Sequence, residues 1–208
     1  MIQGKFITLE GGEGVGKTTN IQFVADYLER QGKDVVLTRE PGGTEAGESI
    51  RAILLDTKQK TLYDSTELLL IFAARVQHVQ QCILPSLEAG KWVVSDRFID
   101  ATYAYQGGGR GMDQERIKQL QLWCSPLPRP DLTLLLDADI KVGAARAQSR
   151  GKLDRFELEK AEFFTKVRQA YVNLAVESPD RIKIVNAALD LASVQEEIEI
   201  HLTVLLND

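Results

Sequence analysis

The sequence predicts an α/β fold: a five-stranded parallel sheet with helices on both faces and a short mobile lid. Three observations carry that expectation. Short apolar runs alternate with segments of helical period along all 208 residues. The runs are nearly continuous in Val, Ile and Leu, as expected of parallel strands covered on both faces. The first run, Phe6-Ile-Thr-Leu9, leads into Glu10-Gly-Gly-Glu-Gly-Val-Gly-Lys-Thr-Thr19, in which Gly11 to Thr18 fits G-x-x-x-x-G-K-[ST]. That pattern between a strand and a helix is a phosphate-binding loop, so the expected architecture is the P-loop NTPase fold. The length suits one domain over 1–208, with the lid at about 146–157.

In such a loop the glycines let several backbone N–H groups face one anion, and the helix that follows adds its positive dipole end. Gly11, Gly12, Glu13, Gly14, Val15, Gly16, Lys17, Thr18 and Thr19 are therefore expected to bind a nucleoside triphosphate. Lys17 is placed to bridge the terminal phosphates and Thr18 to hold magnesium.

The elements follow in order. Lys17 to about Arg30 carries Ile21, Val24, Ala25 and Leu28 at helical spacing and stops at Gly32. Asp34 to Thr38 is the second strand and empties into Arg39-Glu-Pro-Gly-Gly-Thr44, a tight turn at the strand end where open α/β sheets keep their ligands. Thr44 can cap a helix to about Asp56, and Ser65 a longer one to Glu88 that Pro85 bends or shortens. Lys91 to Ser95 is the third strand, ending in Asp96-Arg97. A helix over Phe98 to Gln106 is expected to break at Gly107-Gly-Gly-Arg-Gly111. A short helix over Asp113 to Trp123, a strand over Asp131 to Leu136, and a helix from Ile140 to Arg150 come next. After the charged interruption Gly151 to Arg155, a long helix to Val176, a strand over Arg181 to Asn186 and a final helix that Asp190 can cap complete the chain. Trp92 and Trp123 read as packing residues, and His78 as a packed or interface helix residue.

Composition narrows the function. A net charge of −5 gives no overall attraction for nucleic acid or an anionic membrane, and no apolar run suggests a membrane span or a secretory segment. Two cysteines, Cys82 and Cys124, and two histidines argue against a disulfide scaffold, a zinc site or a Cys–His catalytic pair, and suit the cytoplasm. Neither the N-K-x-D and D-x-x-G runs of GTP switch proteins nor the L-S-G-G-Q run of transporter ATPases occurs. Instead arginines crowd the strand ends: Arg39, Arg51, Arg75, Arg97, Arg146, Arg150 and Arg155. One triphosphate with magnesium does not need so many, whereas two phosphate-bearing substrates do.

Thr38-Arg-Glu-Pro-Gly-Gly-Thr44, Phe72-Ala-Ala-Arg75 and Asp96-Arg-Phe-Ile-Asp-Ala-Thr-Tyr-Ala-Tyr-Gln-Gly-Gly-Gly-Arg-Gly111 resemble the thymidylate kinases of bacteria, over nearly the whole chain. The resemblance implies a cytoplasmic homodimer that uses ATP and Mg2+ to phosphorylate dTMP to dTDP. By the same resemblance Glu13 meets the sugar 3′-hydroxyl, Arg51 and Arg97 hold the monophosphate, Arg75, Thr102 and Gln106 surround thymine, and Tyr105 crowds a 2′-hydroxyl. Glu40 and Asp96 lie near the phosphates and the metal, and a cis bond at Glu40–Pro41 becomes the expectation. Several relatives carry a thymine-stacking aromatic where this chain has Ile71, so either Phe72 stacks or the ring comes from elsewhere. One subgroup has an arginine inside the phosphate loop where this chain has Gly14, which assigns the transition-state arginine to the lid. Arg150 fits best there, with Arg146 as a further ATP-binding group and Arg155 next. Asp137 competes with Asp96 as the acidic strand end that supports the metal.

Overall fold

A computed structural model describes residues 4–59, 61–148 and 154–207. Arg150 and Gly151, at the expected hinge of the lid, lie outside the described residues. The strands are β1 (Phe6–Glu10), β2 (Val35–Arg39), β3 (Trp92–Asp96), β4 (Leu132–Asp137) and β5 (Ile182–Asn186). They form one parallel sheet in the order β2-β3-β1-β4-β5.

Strand periodicity explains the two-sided core. Ile7, Leu9, Val94, Leu134 and Leu136 point to the side packed by α1 (Lys17–Arg30) and α9 (Leu191–Asn207). Phe6, Val93 and Leu135 point to the other side. There they meet α3 (Asp64–His78), α6 (Gln114–Trp123) and α8 (Ala161–Glu177). Each such fully buried side chain contributes roughly 1.5–3 kcal/mol. The register pairs Leu9 with Asp96 and Arg39 with Asp96, so the ends of β1, β2 and β3 are level and their loops share one edge.

Helix α2 (Glu45–Leu55) starts at Thr44, whose Oγ1 accepts from Gly47 N at 3.0 Å. Helix α3 begins two residues earlier than a Ser65 cap predicts, with Tyr63 at the cap position and no side-chain cap. It does not stop or shorten at Pro85. A π-helical stretch, Val79–Ile83, joins it to α4 (Leu84–Glu88), and this wider turn absorbs a residue that cannot donate a backbone hydrogen bond. The run Asp64–Glu88 is also long and apolar enough to cross a membrane by length and composition, with mean hydropathy 1.2, contrary to the sequence expectation. Its Leu68, Phe72, Val79 and Ile83 are buried against the sheet, and it carries buried Glu67, Arg75 and His78, so it is the core helix of this fold.

Gly107 to Gly109 do not break the helix. Helix α5 (Ile99–Thr102) continues as a π-helical stretch, Tyr103–Gly109, and ends at Gly111, where φ is 71°. The glycines serve close packing: a Cβ on Gly108 would lie 2.6 Å from Ala170 Cβ and 3.0 Å from the Lys166 carbonyl, and one on Gly109 would enter the Phe163 ring. Trp92 is buried as expected, but Trp123 is 83% exposed and packs no core. Helix α7 (Ile140–Gln148) follows β4 and presses on the phosphate loop.

Gly108→Ala is expected to destabilise the fold by about 1–3 kcal/mol through overpacking against α8. Thermal denaturation should read this as a Tm lower by about 2–4 °C per kcal/mol; an unchanged Tm would mean that α8 yields freely at this contact.

Candidate active site

The level strand ends open into a cleft of about 590 Å³. Glu13 to Thr19 of the phosphate loop line it, as do Arg39, Glu40 and Arg51 from the second strand's loop and α2. Arg75, Asp96, Arg97, Thr102, Tyr105, Gln106 and Arg146 complete most of the wall. Gly11 and Gly12 line a neighbouring cavity of about 190 Å³ on the other side of the loop. Phe72 lines neither: its ring is 2% exposed in the core beneath the Arg75 guanidinium, 5.2 Å away, and Ile71 faces the cleft instead. One residue along a helix turns the side chain by about 100°, which carries Phe72 off the cleft wall.

The loop's glycines are required by space. Gly14 has φ 70°, and a Cβ there would collide with the Gly143 carbonyl of α7. Lys17, nearly buried, donates from Nζ to the carbonyls of Gly11 at 3.1 Å and Gly12 at 2.6 Å. Burial, and then the charge of Arg97, lower its pKa, while Glu13, Asp96 and Glu10 oppose the shift.

Arg97 joins β3 to this loop. It has φ 70°, a left-handed conformation costing on the order of 1–3 kcal/mol in a side-chain-bearing residue. Its N–H donates to Leu9 O at 3.0 Å, and its carbonyl accepts from Ser95 Oγ at 2.8 Å. Its guanidinium donates to Gly11 O at 2.8 Å and to Glu13 Oε1 at 2.6 Å, and Tyr105 O–H meets the same Glu13 oxygen at 2.7 Å. Beneath lies Glu10, fully buried, which accepts from Phe98 N and from Tyr171 O–H, both at 2.7 Å. Burial, reinforced by the charge of Asp100, pushes its carboxyl up to about 8.

A second cluster sits where the base is expected. Arg75, 2% exposed, donates from Nε to Glu40 Oε2 at 2.7 Å, from Nη1 to Thr102 Oγ1 at 2.9 Å and from Nη2 to Phe98 O at 3.0 Å. The Glu40–Pro41 bond is cis, and both Arg39 and Glu40 face the cleft. His78 is packed, as expected, and supports this cluster: its ring bridges Glu40 Oε1 at 3.0 Å and Thr38 Oγ1 at 2.6 Å. Burial lowers its pKa, but hydrogen bonds to Cys82 and Glu40 and the charge of Glu40 outweigh that and raise it to about 9. Arg51 lines the cleft and donates to Pro41 O at 2.9 Å.

The two acidic strand ends differ. Asp137 is clamped by Arg168 through bonds of 2.7 and 2.8 Å and lies in the smaller cavity. Asp96 lies in the main cleft with Thr18, and its Oδ1 is buried without a hydrogen-bond partner among the described residues. A free acceptor of this kind fits a cation, and magnesium needs few protein ligands because water and phosphate supply the rest. Arg146 lines the cleft and donates to Ala187 O at 2.9 Å. Arg155 does not line it: it anchors to Leu54 O at 2.7 Å and to Glu67 Oε2 at 2.6 Å. Glu10, Glu67, Arg110 and Tyr171 were not singled out from sequence; a glutamate on the apolar face of α3 was the available signal for Glu67.

For Glu10 the sign follows from a raised acid. Its proton is held in the folded chain up to about pH 8 but is lost near 4.5 in the unfolded one. Its stabilising contribution is therefore complete below about 4.5 and declines toward pH 8, by up to about 1.4 kcal/mol per unit. Urea unfolding at pH 5, 6.5 and 8 should show a shallower decline for Glu10→Gln than for the parent; parallel curves would mean that Glu10 is ionised throughout.

Over residues 9–198 the chain matches the family model described as Thymidylate kinase. It is 55% identical over 203 residues to the thymidylate kinase of Ectopseudomonas mendocina, covering 98% of this chain and 97% of that one. It is 52% identical over 205 residues to the thymidylate kinase of Ruthia magnifica subsp. Calyptogena magnifica, with 99% and 100% covered. Among solved structures, thymidylate kinase from Ehrlichia chaffeensis aligns with a TM-score of 0.79 at 36% identity, covering 97% of this chain and 99% of that one.

Proposed function

The chain belongs to the thymidylate kinase family, and from that premise we propose how its own residues carry the reaction. The enzyme transfers the terminal phosphoryl group of ATP to dTMP, giving dTDP and ADP for dTTP synthesis. The observation that carries the site assignment is one cleft lined both by a phosphate loop and by the Arg75, Thr102 and Gln106 cluster.

ATP lies along Gly11 to Thr19, with Lys17 on its terminal phosphates and Arg146 beside it. dTMP sits with its phosphate toward Arg97 and Arg51, its 3′-hydroxyl toward Glu13, its base toward Arg75, Thr102 and Gln106, and Tyr105 where a 2′-hydroxyl would project. Glu40 acts by holding Arg75. Thr18 and Asp96 would hold magnesium, which supplies charge neutralisation when bound. Arg97 aligns the acceptor oxygen, which forms the new P–O bond as the bond between the terminal phosphorus and the ADP oxygen breaks. The acceptor is already anionic, so no general base is required, and catalysis is positioning and electrostatics. Arg150 is the proposed lid arginine that stabilises the shifting charge as the lid over 146–157 closes.

The working form is proposed to be a homodimer in the cytoplasm, within a single domain. Exposed Leu69, Leu122 and Trp123 support a subunit interface, and two free cysteines suit a reducing compartment.

ADP release measured with dTMP, dUMP, dCMP and dGMP as acceptors should require a thymidylate-like acceptor. Arg75→Ala would leave the buried Glu40 Oε2 without its donor, so Arg75→Lys is the better probe. It should raise the dTMP KM by about tenfold, the equivalent of losing one charged hydrogen bond, and leave the ATP KM unchanged. Equal rises in both would assign Arg75 to the fold and not to the base.

A further inference from the structure

Glu67, in the first turn of α3, is a fully buried carboxylate on which donors from two separate segments converge. Arg155 Nη2 reaches Oε2 at 2.6 Å and Arg110 Nη2 reaches it at 3.2 Å. Arg110 Nε reaches Oε1 at 3.3 Å, and Gln106 Nε2 reaches the same oxygen at 2.7 Å. Guanidinium groups only donate, so both oxygens of Glu67 act as acceptors. A side-chain amide facing such an oxygen has one satisfying orientation, with its N–H2 toward the carboxylate. Gln106 is itself 1% exposed and lines the cleft beside Arg75 and Thr102. With its amide nitrogen committed to Glu67, the amide oxygen is the atom left to meet a ligand.

That polarity matters for a pyrimidine. Thymine offers an N3–H donor beside a carbonyl acceptor, whereas cytosine offers a bare N3 acceptor beside an amino donor. A guanidinium donor next to an amide acceptor matches the first pattern and opposes the second at both positions. We propose that Glu67 is a positioning residue that turns the Gln106 amide oxygen into the cleft and so sets the preference for a thymine-type over a cytosine-type base. This rests on the reading of Gln106 as a group that meets the base. Arg155, near the C-terminal end of the proposed lid, binds the same carboxylate, so the base-facing amide and the lid's C-terminal anchor share one acceptor.

The test is steady-state kinetics with dTMP and dCMP on the parent enzyme, Glu67→Gln, Glu67→Asp and Gln106→Leu. Glutamine at 67 can donate as well as accept, which frees the Gln106 amide to turn over. The dTMP-over-dCMP ratio of kcat/KM should fall about tenfold or more in Glu67→Gln, with the ATP KM unchanged. Glu67→Asp keeps an acceptor-only group and should keep the ratio. A ratio unchanged in Glu67→Gln, or lost equally in Glu67→Asp, overturns the role of Glu67 provided that Gln106→Leu changes the ratio. If Gln106→Leu leaves both the ratio and the dTMP KM unchanged, it is the reading of Gln106 that fails. Should Glu67→Gln not fold, side-chain amide NMR of the parent enzyme with dTMP bound gives the decisive sign: Gln106 N–H2 protons close to the Glu67 side chain and not to the base support the proposal, and N–H2 protons turned to the base overturn it.

Discussion

The contact on which the cleft depends is the one Arg97 makes with the phosphate loop. The residue sits where β3 ends, in a left-handed conformation that is costly for any side chain larger than glycine. The cost is met by backbone bonds to Leu9 and Ser95 on one side and by guanidinium bonds to Gly11 and Glu13 on the other. The same geometry points a permanent cation at the place where anionic substrates must meet. Without it, β3 would end beside the loop but would not be tied to it.

Buried carboxylates extend this logic through the interior. Glu10 lies under the loop, Glu40 under the base-facing arginine, Glu67 behind Gln106, and Asp100 beneath the sheet edge, where Arg181 grips it with bonds of 2.6 and 2.9 Å. Burying a charge without partners costs several kcal/mol, and each of these acids has donors within hydrogen-bond distance. The residues that face the cleft are thus fixed from behind. Electrostatic catalysis needs this, because a donor that must reorient during the reaction loses most of its advantage. Asp96 is the exception, with a buried oxygen that no described side chain satisfies, and it stands where a cation is proposed to bind.

Much of the architecture was legible in the sequence. Strands covered on both faces betray themselves by continuous Val, Ile and Leu, and the phosphate loop by its eight-residue pattern, so the fold class and the reaction followed from local signals and from family resemblance. What was not legible depends on tertiary placement. The choice between Ile71 and Phe72 turns on which side of one helix faces the cleft. Gly107 to Gly109 read as breakers, yet the helix runs on through them, and α8 passes too close to Gly108 and Gly109 for a Cβ. Trp123 read as packing because tryptophan usually packs, yet α6 leaves it outside. Glu67 finds Arg155 at a separation of 88 residues, a pairing that no local pattern encodes.

The central claim is that Arg97 aligns the acceptor phosphate against the loop that holds ATP. Its most direct measurement is kcat/KM for dTMP, together with ATP affinity, in Arg97→Ala protein shown to be folded by circular dichroism. The account predicts a fall in kcat/KM of about 10²–10³-fold with ATP affinity within a few-fold of the parent. Turnover within a few-fold of the parent would contradict it, because the acceptor would then be aligned without the cation that ties the end of β3 to the phosphate loop.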